Sequence, residues 1–421
     1  MSLTRMNNEK KKGFWTLRYT VINVTYFMVF CGIHAYASVF LLDKGFTNTM
    51  IGVILALANI LSVIFQPIIA GLIDKQGVLT NRNVSMASTA FLIAGSLILL
   101  ITDNNKPVIF FVFALIYMIQ MIYQPVLTAM NFEYAEAGCD IYYGLARGLG
   151  SAGFALASFI LGKTVGRYGV RVIMIIDIIV LIVAFAVLYC FKKPVSPQIE
   201  ETVSNKDPSD NIDSDTGNEE AHNNLIDFIK TYPMFMLFVA GAVCFFFGHN
   251  ALNDYLIQII KPIGGNESNM GTAIFIASLI ELPTMALIGK VLKKVSCSRL
   301  LLFSGIAFVI KTSLMFIADN MVTVYISQAM QMFAYAVFTP VAAYYVNETM
   351  KKYDQVKGQA YVNCSVTLGG VFSGLVCGRI LDVSGPKTML LVSIAVTCAG
   401  LLIAVFALKG ELKASPEKSN L

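Results

Sequence analysis

The stretch IGVILALANILSVIFQPIIAGLIDKQG, residues 51–77, decides the fold of this chain. It carries no charged residue before Asp74, so it is long enough to cross a bilayer, for which about 20 apolar residues at about 1.5 Å each suffice. A core helix of a water-soluble protein does not stay apolar over this length. The pattern therefore predicts a transmembrane helix that ends at Asp74 and Lys75.

The same pattern recurs in the second half of the chain. Ile51-Gly52 reappears as Met270-Gly271, a shift of 219 positions from Gly52 to Gly271. Other pairs lie at the same separation: His34-Ala35-Tyr36 with Asn253-Asp254-Tyr255, and Gly150 with Gly369. Internal repeats of this kind are typical of transporters built from two similar membrane halves. The repeat therefore predicts two related bundles.

The composition excludes the common water-soluble classes. Hydrophobic residues make up 56% of the 421 residues and charged residues 14%, and the mean hydropathy is +0.69. The net charge of +5 is weak evidence for a nucleic-acid partner, and its distribution argues against one. The eight cysteines stand singly, without a CxxC or a metal-ligand spacing. We predict no cofactor, no metal site and no nucleic-acid partner.

Twelve apolar runs are long enough to be membrane spans, six on each side of a polar gap. Numbered spans 1 to 12, they are 16–41, 50–73, 84–102, 107–129, 144–165, 170–191, 233–260, 270–292, 300–318, 322–347, 359–381 and 387–408. The gap is rich in Ser, Asp, Asn and Pro and cannot bury a core. We predict an all-α membrane protein with twelve transmembrane helices in two six-helix bundles. Its parts are an N-terminal bundle (1–191), a cytoplasmic linker (192–231) and a C-terminal bundle (232–421).

Lysine and arginine set the predicted orientation. With the N-terminus inside, roughly 21 of them fall on the cytoplasmic side and roughly 8 on the outside, which is the bias of membrane proteins. No small-residue cleavage site follows the first apolar run, so we interpret that run as a retained helix. We predict a multi-pass plasma-membrane protein, in contact with lipid, that works as a monomer with both termini in the cytoplasm.

Two charged side chains of opposite sign fall inside spans of opposite halves. Arg147 on span 5 shares a helix face with Ser151 and Phe154. Glu281 is the single carboxylate of span 8, amid SLIELP. Either charge is costly if it faces lipid, so both should face a cavity or a partner. The pair predicts a clamp on a small polar solute between the halves.

Other polar residues inside the spans leave two interpretations open. They are His249, Asn250, Asn253 and Asp254 on span 7, Lys311 on span 9, Gln328, Gln331 and Tyr335 on span 10, and Tyr117, Gln120 and Gln124 on span 4. Gln120 and Gln124 either join helices or contact a solute. His249 is either a buried structural histidine or a proton carrier, and Asp254 either binds a proton or is solvated. Lys311 either forms an ion pair or extends to the membrane surface.

Several stretches resemble the major facilitator superfamily, and within it the oligosaccharide–proton symporters typified by lactose permease. The FQP…DKxG ending of span 2 resembles the superfamily signature between spans 2 and 3, with Ala70 at the glycine position and Gly71 one residue late. GLARGLGSAGFALAS resembles the fifth span of the family, and LIELP resembles the eighth. The resemblance covers most of the chain and implies the major facilitator fold.

The resemblance also implies roles for individual residues. Arg147 falls on the family's sugar-binding arginine, Phe154 on the tryptophan that stacks on the galactosyl ring, and Glu281 on the sugar-binding glutamate. Lys311 falls on an arginine of helix nine. The predicted substrate-binding set is Arg147, Phe154, Asn250, Glu281, Gln328 and Gln331.

The departures from the family fall on its charged network. The lysine, proton-linked histidine and proton-carrying glutamate of the tenth span become Gln328, Gln331 and Ala334. The two aspartates of span 7 become Phe247 and Asn250. The lysine of span 11 falls on Val366, so both members of each charge pair are lost together, which avoids an unpaired buried charge. The acid that partners the family's arginine has no clear match, the choices being Ala129, Asn131, Glu133 and Glu136.

These observations favour a secondary transporter of a small polar solute, most simply a sugar or oligosaccharide. Proton coupling then requires Glu281, His249 or Asp254 to bind the proton, and the alternative is an uncoupled facilitator. A second hypothesis keeps the fold and changes the solute to a nucleoside, an aromatic acid or an exported drug, although span 5 lacks the GP…GG antiporter signature. A receptor or scaffold is a third class. No HExxH, GxSxG or Walker motif points to an enzyme.

Overall fold

A computed structural model describes residues 3–75, 79–193 and 225–412 of the chain. Spans 1 to 6 are formed by Leu3–Phe30 with Ala37–Asp43, then Asn48–Asp74, Asn81–Ile101, Lys106–Glu136, Tyr143–Tyr168 and Arg171–Cys190. Spans 7 to 10 are formed by Pro233–Asp254 with Leu256–Ile260, then Glu267–Leu292, Cys297–Phe316, and Met321–Ala329 with Tyr335–Thr349. Gln355–Leu412 completes the fold.

The last helix, Gln355–Leu412, contains two spans. At 58 residues it is nearly three times the length needed to cross a hydrocarbon core of about 30 Å. Gly385 interrupts it with φ 77° and ψ −178°, a conformation that only glycine adopts without strain. Eleven helices in the described ranges are long and apolar enough to span a membrane. Because Gln355–Leu412 contains two spans, these eleven helices provide twelve spans. The predicted twelve-helix membrane fold is therefore confirmed.

The two halves repeat the same contacts at residues that the sequence repeat pairs. Gly150 on span 5 packs on the Phe27 ring of span 1, and Gly369 on span 11 packs on Phe246 of span 7. Phe27 and Phe246 are themselves separated by 219 positions. A side chain larger than hydrogen at either glycine would collide with the neighbouring span, so each glycine fixes how closely the two helices approach.

Spans 1 and 7 both break at the equivalent tyrosine. Span 1 changes to a π-helical turn over Cys31–Ala35 and resumes as an α-helix after Tyr36, while span 7 breaks at Tyr255. The Tyr36 hydroxyl donates to the Ser158 carbonyl (2.8 Å), and the Tyr255 hydroxyl donates to the Gly374 carbonyl (2.9 Å). Both hydroxyls therefore bind spans that lie at the boundary between the halves.

The halves close against each other at the end of the molecule opposite to the termini. Span 2 packs on span 11 there, and span 5 packs on span 8. Gly52 lies on the Gly374 backbone, and Gly271 lies on Gly162 and Ser158, without room for a β-carbon. The hydrogen bonds that join the halves within the described residues belong to this region, which we call the closed end.

One carboxylate holds much of the closed end together. Asp382, at the end of span 11, accepts hydrogen bonds from the backbone N–H groups of Asn48 (3.0 Å) and Thr49 (2.8 Å) and from their side chains. These residues form the first turn of span 2, whose unpaired N–H groups and helix dipole favour a negative charge. Gln258 adds a bond from span 7 to Asn48 (3.0 Å).

We expect Asp382→Asn to loosen the closed end. Charge-assisted hydrogen bonds contribute about 1.5–3 kcal/mol each, so the loss of one shifts the conformational equilibrium by about tenfold or more. Ile51, which is fully buried beside this contact, can be changed to cysteine as a reporter for labelling by a water-soluble maleimide. The expected result is faster labelling in the Asp382→Asn background.

A matched control for this variant is Asp319→Asn at the same end. Asp319 lies in the loop before span 10 and accepts one side-chain bond, from its neighbour Asn320. Its replacement should leave the labelling rate of the Ile51→Cys reporter unchanged. Equal labelling rates in the two variants would show that Asp382 does not hold the closed end together.

Loops at the closed end carry two ion pairs that share one aspartate. Arg171 at the start of span 6 and Lys44 after span 1 both bind Asp103 in the loop before span 4. Hydrogen bonds from Arg171 first and Lys44 second hold the pKa of the Asp103 carboxyl below its usual range. The Arg171 pair is exposed on both sides and adds little stability, whereas the Lys44 side chain is 6% exposed.

The predicted domain boundaries stay a prediction. Residues 194–224 of the predicted linker lie outside the described ranges, and its last part forms the helix Leu225–Thr231. Phe228 of this helix is buried and lies 4.9 Å from the Tyr361 ring of span 11, centroid to centroid. The last part of the predicted linker therefore packs on the C-terminal half.

Candidate functional site

A cavity of about 750 Å³ lies between the two halves. It is bounded by the closed end and extends toward the end that carries the termini, where its wall includes Gly144, Gly148 and Ala286. A β-carbon on Gly144 or Gly148 would meet open space, so spans 5 and 8 stand apart here although they touch at Gly162 and Gly271. The protein is thus open at one end and closed at the other.

Arg147 projects into the cavity from the N-terminal half. The close approach of spans 1 and 5 at Gly150 brings the Phe27 ring beneath the guanidinium, 4.2 Å from ring centroid to Cζ. Arg147 donates one hydrogen bond to Ser151 (3.0 Å), one turn along the same helix. Among the described residues no carboxylate lies within 4 Å of it. The guanidinium therefore keeps donors free for a solute.

Glu281 lines the opposite wall, on span 8. Pro283, two residues on, lacks an N–H and so breaks the regular bonding of the helix next to the carboxylate. No described cation lies within 4 Å of Glu281, and the Gln331 side chain lies beside it. Arg147 and Glu281 thus face one cavity from opposite halves without bonding to each other.

Lys311 lies behind this wall and is fully buried. Its ammonium donates to Gln331 Oε1, and Ser327 donates to its backbone carbonyl. The predicted ion pair is wrong for Lys311, because no described carboxylate lies within 4 Å, and the alternative of extending to the membrane surface is wrong because the side chain is enclosed. Gln331 therefore connects a buried cation to the wall that carries Glu281.

The discontinuity of span 10 places its amides. The helix stops at Ala329, makes a 3₁₀ turn over Met330–Met332 and resumes at Tyr335, so Gln331 lies in the break. Gln328 is 1% exposed, and its Nε2 has no hydrogen-bond partner within the described residues. A broken helix with unsatisfied donors at bilayer depth is tolerated where it borders a cavity.

Span 7 contributes a ring and two amides. His249 stacks on Tyr335 (5.2 Å between centroids) and shares a hydrogen bond with the Asn253 amide (2.9 Å). Asn250 donates to the Val366 carbonyl of span 11 (3.1 Å). These three residues and Asp254 line the cavity. Since His249 has a partner on one side only, its Nδ1 is left without one in the described structure.

An aromatic cluster on the N-terminal side was missed by the sequence analysis. His34 lies between Phe30 (3.9 Å) and Tyr117 (3.7 Å), measured between ring centroids, and all three line the cavity. Phe154 approaches the cluster at 6.2 Å from Phe30. The signal was present in the repeat, which pairs His34 with the polar Asn253. Flat rings beside polar groups suit a solute with a ring face.

The structure brings the predicted site residues together. Arg147, Phe154, His249, Asn250, Asp254, Glu281, Gln328 and Gln331 all line the one cavity. Whether they bind a solute or a proton stays a prediction.

Gln120 and the acids of span 4 lie outside the cavity wall. Gln120 is fully buried and donates to the Tyr26 carbonyl (3.1 Å), so it joins spans 1 and 4, and Gln124 is not part of the cavity wall. Glu133 binds Lys193 (2.7 Å) and Asn81, and not Arg147. Ala129, Asn131 and Glu136 are absent from the cavity wall too.

The profile of the MFS_1-like family matches residues 17–392, most of the chain. The chain belongs to the MFS_1-like family. Within the major facilitator superfamily, this MFS_1-like protein is 22% identical to the uncharacterized transporter YwbF of Bacillus subtilis (strain 168) over 372 residues, 88% of this chain and 87% of the relative. It is accordingly a multi-pass membrane transporter.

Solved structures share the fold of this MFS_1-like protein. The nucleoside transporter NupG superposes with a TM-score of 0.77 for a point mutant (12% identity, 93% of this chain and 99% of that chain) and of 0.74 for a second structure (14%, 95% and 100%). A peptide transporter POT in complex with sulfate gives 0.70 (9%, 95% and 94%). The superfamily assignment is confirmed, while membership of the oligosaccharide–proton symporters stays a prediction.

Proposed function

We propose that this protein transports a neutral, hydroxyl-rich solute, a sugar or oligosaccharide, across the plasma membrane by alternating access. The observation that carries the proposal is the placement of Arg147 and Glu281 on opposite walls of one cavity, each without a counter-ion among the described residues. A solute that fills the gap can accept from the guanidinium and donate to the carboxylate. Binding would thereby draw the two halves together, which is what alternation of the open and closed ends requires.

The remaining wall suits the same solute. Amides of Asn250, Gln328 and Gln331 offer donors and acceptors without a charge to desolvate. Phe154 and the cluster of Phe30 and His34 supply flat apolar faces for the C–H side of a pyranose ring. A cavity of about 750 Å³ falls within the range of small-molecule sites.

Uptake into proteoliposomes tests the proposal. Radiolabelled lactose, raffinose, glucose and uridine serve as probes, and saturable uptake of one of the sugars is the expected result. Uptake of none of these probes, together with transport of charged solutes only, would contradict it. With termini in the cytoplasm, as we propose, the structure represents the inward-open state.

We expect Glu281→Gln to reduce affinity for the transported probe by about tenfold to a hundredfold, because a charged acceptor contributes about 1.5–3 kcal/mol to a hydrogen bond. The control is Glu267→Gln on the same helix, since Glu267 lies at the closed end and pairs with Lys261 (3.3 Å). Equilibrium binding of the labelled probe measures both. Unchanged binding by Glu281→Gln would remove this residue from the site.

A nucleoside is the second candidate solute. The stacked rings of Phe30, His34 and Tyr117 fit a nucleobase as well as a sugar face, and two superposed structures belong to a nucleoside transporter. Competition separates the candidates. Inhibition of uptake by uridine and not by lactose would replace the sugar with a nucleoside.

We propose that transport is coupled to protons, with an uncoupled facilitator as the alternative. Glu281, His249 and Asp254 are the coupling candidates in the cavity wall. The expected result is alkalinisation of the outside medium when the transported probe is added to energy-depleted cells. Uptake without any change in external pH would establish the facilitator.

A further inference from the structure

A carboxyl group lies buried in the N-terminal bundle, outside the cavity. Asp177, in the middle of span 6, is 1% exposed. It forms no hydrogen bond or ion pair with any described residue, and its Oδ2 is unpartnered. Neither the solute cavity nor the closed end uses it. A buried polar group without a partner is rare in folded proteins, so its presence calls for a physical reason.

The carboxyl lies against the π-helical turn of span 1. A β-carbon on Gly32 would lie 2.5 Å from Asp177 Oδ1 and 2.6 Å from Oδ2. Only a glycine therefore lets span 1 cover this carboxyl. Two residues on, His34 lines the solute cavity, so one short turn contacts Asp177 on one side and the cavity on the other.

No cation of the described ranges neutralises Asp177. The Cys31 thiol of span 1 is the titratable group that interacts with it. On span 5, Arg147 lies over Phe27 and Lys163 lies over Phe159. Other cations on the elements packed around span 6 also have partners away from Asp177. They are Arg18 on the Cys190 carbonyl, Arg82 on the Leu188 and Tyr189 carbonyls, Arg167 over the Tyr168 ring, and Arg171 on Asp103.

An ionised carboxylate in such surroundings costs far more than a neutral one. In the conformation with the closed end formed, Asp177 is therefore neutral and carries a proton. Ionisation requires water to reach the carboxyl. Water can do so only if span 1 moves so that Gly32 no longer covers Asp177.

Span 1 has the hinge for this movement. A π-helical turn is a point at which helices bend, and Tyr36 leaves helical geometry directly after it (φ −99°, ψ 10°). The segment beyond, Ala37–Asp43, belongs to the closed end, where Ser38 donates to the Asp254 carbonyl of the other half. Opening the closed end must break this contact and pull on the turn that covers Asp177.

We propose that Asp177 is a proton-binding site of the N-terminal bundle, separate from the solute cavity, whose protonation stabilises the closed end. The proton comes from water when the outer part of span 1 swings away and is retained when that part returns. The closed end is thus favoured at low pH, and this preference is lost as rising pH ionises the carboxyl. The inference rests on the proposed alternating access, although no solute is needed to test it.

Infrared difference spectroscopy of the full chain in lipid nanodiscs tests the proton directly. The expected result is a carbonyl band of a protonated carboxyl at neutral pH that disappears in Asp177→Asn. The amide has nearly the same shape and no charge, so the fold should be retained. A spectrum without a band that depends on Asp177 would overturn the proposal.

The Ile51→Cys reporter tests the link to the closed end. The labelling rate with a water-soluble maleimide is divided at each pH by the rate for a free thiol, which corrects for ionisation of the cysteine. This corrected rate should rise several-fold from acidic to alkaline pH. In the Asp177→Asn background it should stay slow throughout, while the Asp319→Asn control should keep the rise. An identical pH response with and without Asp177 would overturn the proposal.

The two tests separate this inference from the proposed function. If only charged solutes are taken up while the infrared band and the pH response both depend on Asp177, the solute proposal fails and the proton site remains. If sugar is taken up while neither measurement depends on Asp177, only the proton site fails.

Discussion

Replacing Gly52 with alanine is expected to open the closed end and to slow transport. Gly52 on span 2 lies directly on the backbone of Gly374 on span 11, and an added methyl group would collide with the Gly374 carbonyl oxygen and approach the Tyr255 hydroxyl. Neither the carbonyl nor the hydroxyl can move aside easily, because the Tyr255 hydroxyl donates a hydrogen bond to the Gly374 carbonyl. The variant can fold only if the two spans separate, so it should favour the conformation in which they are apart.

The magnitude follows from the cost of overpacking, about 1–3 kcal/mol, which shifts a two-state equilibrium by about 5-fold to 150-fold. The Ile51→Cys reporter should be labelled faster by a factor in this range, and the uptake rate should fall. Gly71→Ala is the control on the same helix, because a β-carbon there meets open space. Slow labelling in Gly52→Ala, equal to that of the unsubstituted reporter, would show that this contact does not hold the closed end.

Replacing Arg147 with alanine is expected to abolish solute binding while leaving the fold intact. The guanidinium contacts Ser151 and Phe27 and has no carboxylate within 4 Å in the described structure, so its removal leaves no buried counter-charge. Hydrogen bonds from a charged donor contribute about 1.5–3 kcal/mol each. The loss of two predicts a fall in affinity of about a hundredfold or more.

Lysine at this position should recover only part of the binding, because it lacks the planar fork that holds two acceptors at once. Arg167→Ala is the matched control, as Arg167 lies near the far end of the same helix and over Tyr168. Binding of the labelled probe and thermal unfolding of the purified variants measure the two effects. Normal binding by Arg147→Ala, with a normal unfolding temperature, would exclude Arg147 from the site.

The sequence was sufficient for the number and order of the spans. Runs of about 20 apolar residues leave no alternative to membrane helices, and the boundary that glycine marks at 385 fell between two predicted runs. The repeat went further, because residues it pairs, such as Tyr36 with Tyr255, make equivalent contacts in the two halves. The sequence repeat therefore predicts contacts correctly where both halves use the same residue type for the same helix contact.

The breaks inside spans were not predictable from hydropathy. The π-helical turn at Cys31–Ala35 and the 3₁₀ turn at Met330–Met332 lie in apolar sequence without a proline at either turn. Tertiary contacts lie at both breaks, namely the Asp177 carboxyl against Gly32 and the Lys311 ammonium on Gln331. Neither contact is visible from spacing along one helix.

For the candidate site, charge was the informative signal. Arg147 and Glu281 stood out because ionisable groups in spans are costly. His34 did not stand out, because a histidine inside an apolar run is more often a buried structural residue than a ligand contact. Asp177 is as unusual as Glu281 in a membrane span, but it matches no functional position of the symporters that the chain resembles.

A tryptophan at position 154 offers the most direct test of the central claim, that solute binds between Arg147 and Glu281 at the open cavity. The chain has one tryptophan, Trp15, which packs on Tyr134 and Phe191 away from the cavity wall. In Phe154→Trp, the transported sugar should change the indole emission saturably, and the added substitution Glu281→Gln should move that change to sugar concentrations about tenfold to a hundredfold higher. Emission that does not respond to a sugar the protein transports, or that responds equally without the Glu281 carboxylate, would contradict the account.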